Sequence, residues 1–67
     1  MKEFVLKENE GYRLKVKSWK CLRPNDLNTI EFIQELKDKD GNVSGDSTYQ
    51  FFMTDDEIKL LSERLVA

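Results

Sequence analysis

The chain has 67 residues, 11 of them Lys or Arg and 13 Asp or Glu, for a net charge of −2. One domain spanning residues 1–67 is the expectation at this length. Cys21 is the only cysteine and there is no histidine, which excludes an internal disulfide and leaves a zinc site short of ligands.

"EFVLK" (3–7) is a short apolar strand candidate, closed by the turn chemistry of Asn9 and Gly11. From Tyr12 the pattern alternates. Leu14, Val16 and Ser18 point one way; Arg13, Lys15, Lys17 and Trp19 point the other. A period of two is the signature of a half-buried strand. "RPND" (23–26) breaks it, because Pro24 has no N–H to donate to a sheet. "NTIEFIQELK" (28–37) alternates again, with Ile30, Phe32 and Leu36 on one face and Glu31, Ile33 and Glu35 on the other. A helix over 29–37 is the alternative; the β-branched and aromatic residues at 29–33 favour a strand. "DKDGNVSGDS" (38–47) reads as a polar hairpin loop, and "TYQFFM" (48–53) as the next strand.

The C-terminal segment carries the clearest local signal. Thr54 followed three residues later by Glu57 is a capping box, and Met53 with Ile58 forms a hydrophobic staple. Asp55 and Asp56 put negative charge at the positive end of a helix dipole. Ile58, Leu61 and Leu65 make an apolar stripe, so a helix is predicted from about 55 to 66. The fold class is therefore α+β: a four-stranded antiparallel meander followed by one C-terminal helix laid on one face.

A chain this short buries only about 60% of its unfolded surface. With no disulfide and no metal, oligomerisation is the remaining compensation, and a homodimer is expected. No apolar run approaches the ~20 residues that span a bilayer. The apolar patch of "MKEFVLKENE" is too short for a signal peptide, so the expected location is the cytoplasm, or the interior of a host cell. Enzyme chemistry has little to draw on. There is no histidine for acid–base work near neutral pH, and Cys21 has no evident base. "DKDGNVSGD" fails as a calcium loop, because aligning Gly41 to the invariant glycine puts Leu36 and Ser47 at the two terminal ligand positions. No cofactor and no catalytic residue is assigned.

The charge is unevenly placed. Residues 12–23, "YRLKVKSWKCLR", hold five basic side chains and no acidic one, together with the only tryptophan. Arg13, Lys15, Lys17 and Trp19 share a strand face, and Lys20 and Arg23 extend the charge toward the turn. Single-stranded nucleic acid needs this combination: cations follow the phosphates, and an aromatic face stacks a base at ~1–3 kcal/mol. The competing expectation is that this strand pairs with 29–37. Lys15 or Lys17 would then lie opposite Glu35, Trp19 opposite Glu31 or Ile33, and the charge would largely cancel.

Three segments resemble the positive cofactor four type of single-stranded-DNA-binding coactivator domain and its bacterial and phage relatives. They are "RLKVKSWK" (13–20), "IEFIQELKDKDGNVSG" (30–45) and "MTDDEIKLLSERL" (53–65). The resemblance implies four antiparallel strands, a C-terminal helix that dimerises, and a DNA cleft. In it, Trp19 and Lys20 match the base-stacking aromatic and its lysine, and Lys15 and Lys17 match the basic strand. The loop "NVSGDS" stands where the family carries a basic loop, and "RPNDLN" is a longer turn.

Two functions follow as expectations. One is non-sequence-specific binding of single-stranded nucleic acid by Arg13, Lys15, Lys17, Trp19, Lys20 and Arg23. The other is a protein-interaction module of phage or mobile-element type that binds and modulates a host protein. There the acidic segment 31–57 meets a basic partner, and the aromatics at 49–52 fill the core or anchor the contact.

Overall fold

The computed structural model describes residues 1–23 and 26–66. Four strands run in chain order, β1 (Lys2–Glu8), β2 (Tyr12–Lys20), β3 (Leu27–Lys37) and β4 (Val43–Thr54), followed by α1 (Asp55–Leu65). All three pairings are antiparallel, and the spatial order β1-β2-β3-β4 repeats the chain order. The expected meander plus C-terminal helix is the observed fold, and 29–37 is strand.

Two boundaries moved. β4 begins at Val43, so half of the expected loop is strand. Only 38–42 turn. The Asp38 carboxylate accepts the amides of Asp40 (2.9 Å) and Asn42 (3.0 Å), and Gly41 takes the left-handed φ of 85°. Meanwhile β2 stops at Lys20, and the Cys21 amide donates to the Leu27 carbonyl at 2.8 Å. That closes a six-residue connection rather than a four-residue turn. Pro24, expected to break the strand, lies outside the described residues. The register differs from the one expected.

Cross-strand partners share a face of a sheet. One row runs Phe4, Val16, Phe32, Tyr49, and the next runs Lys2, Ser18, Ile30, Phe51. The rings of Phe32 and Phe51 meet edge to face at 6.2 Å. This is the apolar face, and α1 stands over part of it. The opposite face is built from Glu3, Lys17, Glu31 and Gln50 in one row and Glu8, Arg13, Glu35 and Asp46 in another.

The helix begins where its sequence says it should. Thr54 Oγ1 accepts the Glu57 amide and Glu57 Oε1 accepts the Thr54 amide, completing the capping box. Asn28 fixes the entry angle. Its side chain, 9% exposed, donates to the Met53 carbonyl (3.1 Å) and to Asp55 Oδ1 (2.8 Å). Lys20 Nζ donates to the same Asp55 oxygen at 2.8 Å. Yet α1 packs chiefly on β4, and none of its residues is buried. Val16 and Ile30 are the only buried apolar side chains among the described residues. The molecule is 15 Å across its thinnest axis, little more than one sheet with a helix leaning over it.

Replacing Thr54 by Ala removes the acceptor for the Glu57 amide. The expected loss is about 1 kcal/mol of unfolding free energy, read as a lower urea midpoint with an unchanged slope.

Candidate interaction surfaces

The basic strand lies between two acidic ones. Arg13 Nε donates to Glu35 Oε1 at 2.8 Å, with Glu8 3.8 Å away on the other side. Lys15 Nζ reaches Glu3 at 3.6 Å, and Lys37 Nζ donates to Glu8 at 2.7 Å. Lys17 stands between Glu3 and Glu31 in register, while Glu31 accepts a 2.7 Å hydrogen bond from Gln50. Three cations of β2 therefore share a face with five carboxylates, those of Glu3, Glu8, Glu31, Glu35 and Asp46. On this face β2 carries the cations and its two neighbours, β1 and β3, the carboxylates, so these three strands cancel at short range, while Glu35 and Asp46 of β3 and β4 stand opposite each other with like charge.

The register differs from the expected one. Arg13, not a lysine, opposes Glu35; Lys17 opposes Glu31; Lys15 opposes Ile33; Trp19 opposes Thr29. Cation does face glutamate at Arg13 and Lys17, but the strands are offset by two or four residues from the pairing of Lys15 or Lys17 with Glu35. Glu3 and Glu8 give no sign in the sequence that they oppose β2. They flank the apolar centre of β1, and only its antiparallel pairing brings them beside Lys17 and Arg13.

The six candidate nucleic-acid residues do not all gather. Arg13, Lys15, Lys17 and Trp19 share the charged face. Lys20 faces the other way, toward Asp55. Arg23 is exposed in a bend beyond the strand. Trp19 is half-buried beside Thr29, which is 4% exposed, with Phe52 across from it. The Cys21 sulfur lies 3.3 Å from the Thr29 hydroxyl.

The apolar face presents a different surface. An open groove of 620 Å³ runs between α1 and the sheet. Its floor is Phe4, Val16, Ile30 and Phe32. Its wall is Ile58, Leu61 and Leu65 of α1. Phe4 and Leu6 are 51% and 57% exposed, and Leu65 is 74% exposed. Among the described lining residues the charged side chains are Lys2, Lys20 and Asp55, and the last two neutralise each other. The apolar run of Phe4, Val5 and Leu6 in "EFVLK" was the signal for this surface. That it stays open could not be read from the pattern.

No family model matches the chain, and no curated protein or solved structure does either. Among the described residues no helix is long and apolar enough to cross a membrane.

Three carboxyl groups are held below their ordinary values. Glu35 is lowered chiefly by its hydrogen bond from Arg13, Glu8 by its hydrogen bond from Lys37, and Asp55 by hydrogen bonds from Lys20 and then Asn28. A carboxyl lowered in the folded chain takes up its proton more readily once unfolded. Its stabilisation is complete above the unfolded value and is lost as pH falls through the folded one. Thermal midpoints measured from neutral pH downward are expected to fall once pH drops below about 5. Glu35→Gln, which cannot titrate, flattens that fall; an unchanged slope would mean the Arg13 pair adds nothing.

Proposed function

We propose that this chain is a protein-interaction module and that its working surface is the apolar face of the sheet with the inner side of α1. The contrast between the two faces carries the proposal. On the charged face Arg13, Lys15 and Lys37 are paired within the molecule with Glu35, Glu3 and Glu8. The apolar face is unfinished: a row of Phe4, Val16, Phe32 and Tyr49 crosses all four strands, and the helix shields only part of it. Contiguous exposed apolar surface beyond a few hundred Å² marks a site of contact with another macromolecule. Its side chains are aromatic and aliphatic, the types that form the desolvated centre of protein interfaces.

Single-stranded nucleic-acid binding is the second reading. Lys17 supports it: no carboxylate of the described residues lies within 4 Å of its ammonium, and it shares a face with Lys15 and Trp19. A phosphate chain laid there would also meet Glu3 and Glu31, which repel it.

The two readings use opposite faces, so one titration separates them. Trp19 fluorescence is followed while unlabelled oligothymidine is added at low and moderate salt. The protein-interaction reading expects no saturable change at protein concentrations of about 10–50 μM, within the range of non-specific binding. Quenching that saturates, weakens with salt and disappears in Lys17→Glu would overturn it in favour of nucleic acid.

A further inference from the structure

We infer that the polypeptide covering the apolar face is a second copy of this chain, the two protomers packing face to face about a two-fold axis with each α1 against the other's sheet. This rests on the docking surface proposed above and names its occupant.

The first support is the missing core. No side chain among the described residues is fully buried, and two apolar residues cannot hold 67 residues of chain in one conformation. A sheet with one apolar face needs a second layer to bury it. A transient partner would leave that face wet whenever it departed. A second copy supplies the layer as a condition of folding.

The second support is self-complementarity. A two-fold contact uses one patch twice, so that patch must hold both a hollow and something to fill it. Here both occur on one face. The hollow is the groove, and the ridge is the apolar edge of α1, where Leu61 is 45% and Leu65 74% exposed. Area agrees. Phe4, Leu6, Tyr49, Phe51, Leu61 and Leu65, each roughly half exposed or more, leave on the order of 500 Å² of apolar surface. That is most of the ~800 Å² each partner contributes to a stable interface.

Charge agrees as well. Lys20 and Asp55 are paired within the protomer, so Lys2 is the one side-chain charge without a partner among the described groove residues. Two such faces meet without like-charge repulsion along their length. Two charged faces, each with a surplus of carboxylates, would not.

Sedimentation equilibrium of the full chain across micromolar concentrations gives the mass. The expected result is twice the chain mass, with a thermal midpoint that rises with protein concentration. Leu65→Glu, at an exposed site that costs the monomer little, is expected to weaken self-association at least tenfold and to expose the face to the dye 8-anilinonaphthalene-1-sulfonate. Phe52→Ser, on the opposite face, is expected to leave the mass unchanged. A folded wild-type monomer with a concentration-independent midpoint overturns the inference. If that monomer binds the dye, the docking surface survives and its occupant is another protein; if it does not, both fall. A dimer whose mass Leu65→Glu leaves unchanged also overturns it, by placing the contact elsewhere.

Discussion

Arg13 opposite Glu35, Lys17 opposite Glu31 and Val16 opposite Phe32 are three results of one register, that of β2 on β3. Shift it by a single residue and every β2 side chain changes face relative to its β3 neighbours. Cations would then meet Phe32 and Gln34, and Val16 would meet a glutamate or Ile33. The separation of the sheet into an apolar side and a charged side depends on this pairing, and β1 and β4 extend it outward. Charge compensation and the open groove are thus the front and back of the same arrangement.

The helix joins this sheet through a small polar hub. Asn28, Asp55 and Lys20 come from β3, α1 and β2, and their hydrogen bonds converge on one carboxylate oxygen. Asn28 also holds the last turn of β4 through the Met53 carbonyl. A hub at the start of α1 sets the direction in which the helix leaves the sheet without drawing its later turns down onto it. That is why Ile58, Leu61 and Leu65 line a groove instead of filling a core.

Much of this was legible. Alternation assigned both faces of β2 and β3 correctly, and Thr54 with Glu57 placed the helix start to the residue. These are local signals, carried by neighbours in sequence. The register was not legible, because it depends on where β2 ends, and Cys21 and Leu22 continue an apolar pattern past the last paired residue, Lys20. The compensation by Glu3 and Glu8 was missed for a related reason: it belongs to β1 and β2 together. Lys20, expected to extend the charge toward the turn, lies on the other face, as alternation implies, and its charge is taken up by Asp55 of α1. The stripe on α1 announced an apolar contact, but a stripe looks the same whether it meets its own sheet or something else.

Both outer strand pairs contain an irregularity. In β1 the pairing jumps from Val5 to Lys7 and leaves Leu6 over; in β4 it jumps between Val43 and Gly45 and leaves Ser44 over, its hydroxyl donating to the Leu36 carbonyl at 3.4 Å. An extra residue bends a strand and breaks the spacing of its outward-facing amides and carbonyls. At the β1 border the irregularity falls in mid-strand, beside the charges of Lys2, Glu3, Lys7 and Glu8, whereas at the β4 border it touches only the first residues and Gly45–Thr54 stays in unbroken register. Strand addition is thereby hindered at the β1 border, and the β4 border is the one from which the sheet could be extended.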